Sequence, residues 1–118
     1  MYNNDLVLTI KRIIYNMYDR KVVNIAAISS EVTIRIPNTR VQGISKDHNG
    51  ITLSFLCDSD MVTKQDIENI TMNIMYDFIQ QNIINRLSPD EINEINEEVI
   101  YNLFNVMYCR GRSFSILI

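Results

Sequence analysis

Apolar positions recur at helical spacing from the start of the chain. Leu6, Ile10, Ile13, Ile14 and Met17 make one stripe of a helix from Asn4 to Asp19, with Thr9, Arg12, Asn16 and Asp19 on the other side. Asn3 or Asn4 can cap it, and Asp5 suits the positive end of its dipole. Leu8 and Tyr15 fall at the edge of the polar side, so each is partly exposed or covered by another element. Lys21 to Ser30 carries mixed signals and reads as a short strand or an irregular connection. Glu31-Val32-Thr33-Ile34-Arg35-Ile36 alternates polar and apolar residues, the pattern of a half-buried strand. Pro37-Asn38 ends it, because Pro lacks the ladder donor and Asn accepts turn geometry. Thr39 to Ser45 reads as a second strand, with Gly43 marking a bulge. Asn49-Gly50 then predicts a type I′ hairpin turn, since both residues tolerate the positive φ it needs. Ile51 to Cys57 returns as a third strand, with Ile51, Leu53, Phe55 and Cys57 on one face.

The second half reads as helical. Thr63 to Asp66 resembles a capping box and opens a helix that should run to about Arg86. Ile67, Ile70, Thr71, Ile74 and Phe78 form one stripe of it; Met72, Met75, Tyr76, Ile79 and Ile83 form a second. So wide an apolar arc predicts cover on two sides, by the sheet and by a neighbouring helix or a dimer contact. Ser88-Pro89-Asp90-Glu91 is another helix start, with Ile92, Ile95, Val99, Leu103 and Val106 on one face and Gly111 as the stop, Arg110 at its negative end. Ser113 to Ile118 reads as a terminal strand that must pair in the sheet, because a free tail that apolar aggregates. The expected fold is α+β: an antiparallel sheet of three to five strands packed against about three helices, in the order α-β-β-β-α-α-β.

Composition narrows the class. The chain has 118 residues, enough for one domain (1–118) and a core without staples. Its apolar content is too high, and its net charge of −3 too low, for a disordered chain. No run approaches the length of a membrane span, and the start lacks a signal-peptide pattern. Ile occurs 20 times and Asn 14 times, a bias that reads as compositional, so nothing is built on surface Asn.

The net charge conceals a division. Residues 1–46 hold seven basic residues against three acidic ones; residues 47–109 hold two basic residues, Lys64 and Arg86, against eleven acidic ones. Acid is densest at Asp90, Glu91, Glu94, Glu97 and Glu98. At 100° per residue, Asp90, Glu94, Glu97 and Tyr101 cluster opposite the Ile92, Ile95 and Val99 stripe. Asp58 and Asp60 extend the acidic surface ahead of the long helix. An aromatic among carboxylates is a suitable anchor for a basic partner.

Candidate chemistry is thin. His48 is the only histidine and lies in a turn, so Cys–His catalysis, a Ser–His–Asp set and zinc sites lack material. Cys57 and Cys109 have no CxxC partner and read as reduced, buried thiols, which fits a cytoplasmic location; a disulfide would need their Cα atoms within about 7 Å. Asp58-Ser59-Asp60 lacks the further acids of a calcium loop, and three scattered glycines build no phosphate loop. No cofactor and no metal is expected. Arg35, Arg40 and Lys46 lack interleaved aromatics for stacking nucleic acid.

The expected function is therefore a non-enzymatic protein-binding module. Its partner-binding residues are Asp58, Asp60, Asp90, Glu91, Glu94, Glu97, Glu98 and Tyr101. The sharpest version is a small acidic inhibitor that covers the basic site of a toxin or nuclease, as a bacterial immunity protein does. Two alternatives stand beside it. One is a homo-oligomeric structural protein using the broad apolar arc and Ile100, Phe104 and Met107. The other is a nucleic-acid adaptor using the basic N-terminal half.

Overall fold

The computed structural model describes residues 3–109 and 112–118, Cys109 by its backbone alone. Helix α1 spans Asn4–Asp19, as its stripe predicts. Asn3 caps it by accepting the Leu6 N–H at 3.1 Å, and Leu6, Val7, Ile10, Ile14 and Met17 are buried. Leu8 stays half exposed and Tyr15 packs at the margin of the core. The helix ends with Lys21 in the left-handed region (φ 58°), so the Val22 N–H turns back to the Met17 carbonyl.

The next segment departs from its expected strand. Ala26–Arg35 is helix α2, not a connection followed by a strand from Glu31 to Ile36. The alternation of that stretch is real, but a second periodicity overrides it. Ile25, Ile28, Val32 and Ile36 recur at helical spacing and are all buried, whereas Ile34 is left 76% exposed. Arg35 and Glu31, one turn apart, pair at 3.2 Å. Tertiary burial decides between the two patterns here.

Strand β1 (Thr39–Asp47) follows, with a bulge between Val41 and Gly43. Strand β2 (Gly50–Cys57) buries Ile51, Leu53, Phe55 and Cys57 on one face, as the pattern requires. The hairpin between them is one residue out of the expected place. Asp47 pairs with Gly50, so His48-Asn49 forms the loop, and neither has positive φ; only Gly50 does, at 131°. The Asp47 side chain accepts the Asn49 N–H at 2.8 Å, which replaces the mirror-image turn with a local Asx bond.

Helix α3 (Lys64–Asn82) opens with the expected capping box. Thr63 accepts the Asp66 N–H at 3.1 Å, and the Asp66 carboxylate accepts the Thr63 N–H at 2.9 Å. The bond from the Thr63 N–H, and after it the Thr63 hydroxyl, favours the charged carboxylate and holds the Asp66 pKa below its ordinary value. A depressed carboxylate supports the fold above its ordinary pKa and loses that support as pH falls through its folded-state pKa. Asp66→Asn should therefore flatten the acid limb of the stability–pH curve and leave its shape near neutrality unchanged, as read from urea midpoints across pH. Helix α3 stops at Asn82 rather than near Arg86, and a 3-10 turn covers Ile84–Arg86.

The expected last helix is two short ones and a strand. Helix α4 is Pro89–Asn93, with the capping box of Ser88 and Glu91 present. Asn96 has extended backbone and accepts the Val99 N–H at 2.9 Å, so it stops one helix and caps the next, α5 (Glu97–Tyr101). Asn105–Cys109 is strand β3, in which Val106 is buried and Asn105 and Met107 are exposed. The expected stop at Arg110-Gly111 lies outside the described residues. Strand β4 (Ser113–Leu117) is paired, as its apolar sequence demands.

The sheet is antiparallel in the order β1-β2-β4-β3, so the last strand lies in its interior. Helices cover the face that carries Leu53, Phe55, Phe114, Ile116 and Val106, which join one contiguous core. Residues of the other face of β2 and β4, from Thr52 to Leu56 and from Ser113 to Leu117, are half-buried. The architecture is α+β with a four-stranded sheet, within the expected range. Helix α3 packs against α2, α5 and β3, which bury Ile67, Thr71, Ile74, Met75, Phe78 and Ile79 of its apolar arc and leave Tyr76 half exposed. Ile100 and Phe104 are buried as well. Of the residues set aside for an oligomer contact, Tyr76 and Met107 are the ones left about half exposed.

Candidate functional site

The break at Ile95-Asn96 sets the geometry of the acidic segment. A single helical wheel does not apply from Asp90 to Tyr101. Asp90 and Glu94 are one turn apart at α4, Glu97 and Tyr101 one turn apart on α5, and each pair belongs to its own short helix. Asp90, Glu94, Glu97, Glu98 and Tyr101 are exposed. Glu91 is half-buried, with its carboxylate on the Ser88 N–H at 2.8 Å, so it serves the fold first. Glu97 and Glu98 occupy the first turn of α5, where the dipole favours them. Glu94 accepts a hydrogen bond from the Asn3 side chain, which ties α4 to the start of α1.

Tyr101 is the organised member of the group. Its hydroxyl donates to Glu68 Oε2 at 2.8 Å, and its ring meets Phe104 edge-on at 5.9 Å. The carboxylate stabilises the phenol, so the Tyr101 pKa is raised by that hydrogen bond and by the charge of Glu68. Glu68 is the residue that sequence reading missed. It lies 33 positions away on α3, and only the packing of α3 against α5 brings it in. Glu68→Gln should lower the Tyr101 phenol pKa, which ring-carbon NMR titration of Tyr101 would report; an unmoved titration would remove this contact from the site.

Asp58 and Asp60 are exposed in the link from β2 to α3. No described contact ties them to α4 or α5. The Asp58 N–H donates to the Asn38 carbonyl at 3.0 Å, on the β1 side of the sheet. They form a separate acidic stretch.

The first-half cations do not neutralise these carboxylates. Among the described residues the ion pairs are Arg35 with Glu31 and with Asp77, and Lys46 with Asp19. Lys46 also stands 5.7 Å above the Tyr15 ring. Asp58, Asp60, Asp90, Glu91, Glu94, Glu97 and Glu98 have no described Lys or Arg within ion-pair distance.

Two open clefts exist elsewhere. One of about 740 Å³ lies beside the link from α1 to α2, with Asp19, Lys21, Val22 and Ile44 among its walls. The other, about 520 Å³, runs between α2 and α3, where Arg35 is already held by Glu31 and Asp77. Among the described residues no group of three or more His, Cys, Asp or Glu is placed to hold a metal ion, and no helix is long and apolar enough to cross a membrane. Cys57 is a free, buried thiol; the Cys109 side chain lies outside the described residues.

No family model, curated protein or solved structure matches the chain. What fold and site define together is a small α+β protein with an acidic, aromatic-bearing surface at α4 and α5.

Proposed function

We propose that the protein is a non-enzymatic binding module whose acidic α4–α5 surface receives a cationic protein, in the manner of a small inhibitor covering the basic site of a nuclease or toxin. The observation that carries this reading is the exposed set Asp90, Glu94, Glu97 and Glu98 without a described cationic partner. Uncompensated carboxylates on one segment focus a negative field, and such a field accelerates encounter with a basic surface. Tyr101, held by Glu68, adds a rigid ring at the margin of the charge. A cytoplasmic setting suits the free thiol of Cys57.

Immobilised protein should retain a partner of high isoelectric point at low salt and release it as salt rises. The variant Glu94→Lys/Glu97→Lys should fail to retain it while keeping its far-UV spectrum. Equal retention by the folded variant would remove the acidic surface from the function. On the nucleic-acid reading, Arg35 and Lys46 of the basic half are engaged by Asp77, Glu31 and Asp19, whereas Lys11, Arg12, Arg20, Lys21 and Arg40 form no described ion pair.

A further inference from the structure

The pleat gives the sheet a second face, away from the helices, and the strand register fixes which residues stand on it. Its middle row, read across β1, β2, β4 and β3, is Gly43, Ser54, Ser115 and Met107. In the row on one side Thr52 stands beside Leu117; in the row on the other Leu56 stands beside Ser113. None of these residues is buried, and no described element covers them. Charge on this face is confined to the two ends of β1, where Arg40 and Asp47 have opposite signs. Between them the face is neutral, with hydroxyls and three apolar side chains, of which Met107 is 45% exposed.

We propose that this face is the interface of a symmetric dimer, in which two copies stack sheet on sheet about a two-fold axis along the seam of β2 and β4. The register makes the face complementary to itself under that operation. The axis lays each β2 position over its β4 neighbour in the second copy, and each β1 position over the β3 residue of the same row. Leu56 then stands over Ser113 of the second copy, Leu117 over Thr52, and Met107 over Gly43. Each large apolar side chain meets a smaller residue, the interdigitation that stacked sheets require. Room for Met107 is present, since a Cβ built on Gly43 meets nothing within 4 Å.

Charge favours a second copy as the occupant. A strongly charged partner finds no counter-charge within the face, whereas two copies bring neutral surface to neutral surface. The two Arg40 side chains stay apart, because β1 of one copy lies over β3 of the other. A patch four strands wide and about five residues long measures about 20 Å by 17 Å, so two copies together bury on the order of 800 Å². That is less than a standard interface and predicts a weak dimer, with a dissociation constant on the order of 10⁻⁴ M. The carboxylates of α4 and α5 take no part in it and stay open to a cationic partner, so the dimer stands or falls apart from the reading above.

Sedimentation velocity of the full chain, from micromolar to millimolar, tests this. The expected result is a monomer–dimer equilibrium that hardly changes with salt, since no ion pair holds it. Ser115→Lys puts a charge at the centre of the face and should raise the dissociation constant about tenfold or more, while Ser115→Ala leaves it unchanged. Ser54→Glu should weaken the dimer likewise. An equimolar mixture of Ser54→Glu and Ser115→Lys chains should associate again, because position 54 of one copy lies over position 115 of the other. Methyl NMR of the native chain needs no variant: the signals of Leu56, Met107 and Leu117 should shift together with concentration, and that of Leu8, half exposed on α1, should not. A monomer at every concentration overturns the proposal. So does a dimer indifferent to Ser115→Lys, a mixture that stays monomeric, or concentration-dependent shifts that spare Leu56, Met107 and Leu117.

Discussion

Gly50→Ala should cost the fold about 3–5 kcal/mol, read from urea denaturation midpoints. Gly50 has φ 131°, a region that residues with a Cβ rarely enter. A Cβ there would lie 2.3 Å from the Ile118 carbonyl oxygen and 2.9 Å from the Tyr15 hydroxyl. Both neighbours are fixed. The Ile118 carbonyl accepts the Ile51 N–H at 3.0 Å and the Tyr15 hydroxyl at 3.0 Å, and the Ile118 N–H donates to the Ile51 carbonyl at 2.8 Å. Moving Ile118 away breaks those bonds, at roughly 1 kcal/mol each, on top of about 1–3 kcal/mol of backbone strain. Gly43 is the internal control. An added Cβ there meets nothing within 4 Å, so Gly43→Ala should change stability by less than about 1 kcal/mol. Similar losses from both variants would mean that the clamp of Tyr15, Gly50 and Ile118 is not closed.

Phe114→Ala should be of comparable size, a loss of about 3–5 kcal/mol. Phe114 is 2% exposed, pairs with Phe55 across β4 and β2, and stacks on its ring with centroids 4.9 Å apart. The cavity cannot easily collapse, because both rings belong to strands with neighbours on each side. Phe55→Ala should cost about as much. The double variant should cost less than the sum, with a coupling of about 0.5–1.5 kcal/mol from the lost ring contact. Ser115→Ala, on the opposite face of the same strand, should be nearly neutral, within about 0.5 kcal/mol. Additive losses at Phe55 and Phe114 would show that the rings do not act as a pair.

The elements that could be read from sequence are those whose signals are local. The stripe of α1, the box of Thr63 and Asp66, and the box of Ser88 and Glu91 each involve residues within one or two turns, and each is present. The paired terminal strand followed from its apolar content alone. Failures arose where two local signals compete or where a distant contact decides. Glu31 to Ile36 fits a strand by alternation, yet Ile25, Ile28, Val32 and Ile36 supply a helical stripe, and helix α3 provides the surface that buries it. The expected last helix carried a good stripe through Val106. Asn96 interrupts it with a side-chain cap, and the open edge of β4 captures Asn105–Cys109 as a strand. Treating surface Asn as compositional bias concealed the cap at Asn96, whereas the cap at Asn3 and the turn at Asn38, which takes φ 56° between α2 and β1, had local signals that were read.

The acidic site was legible as composition but not as geometry. Sequence reading located Asp90, Glu94, Glu97, Glu98 and Tyr101, all exposed. It placed them on one helix face that does not exist, joined them to Asp58 and Asp60 without a contact to support it, and omitted Glu68. Surface charge follows from residue type, whereas the partner of a Tyr hydroxyl follows from how two helices pack.

The most direct measurement is the association rate constant with a captured cationic partner, followed against ionic strength for the native chain and for Glu94→Lys/Glu97→Lys. The native rate should fall steeply as salt rises; the variant should associate on the order of tenfold more slowly at low salt, with a flattened dependence. Native and variant rates that coincide across the whole salt range would contradict the account.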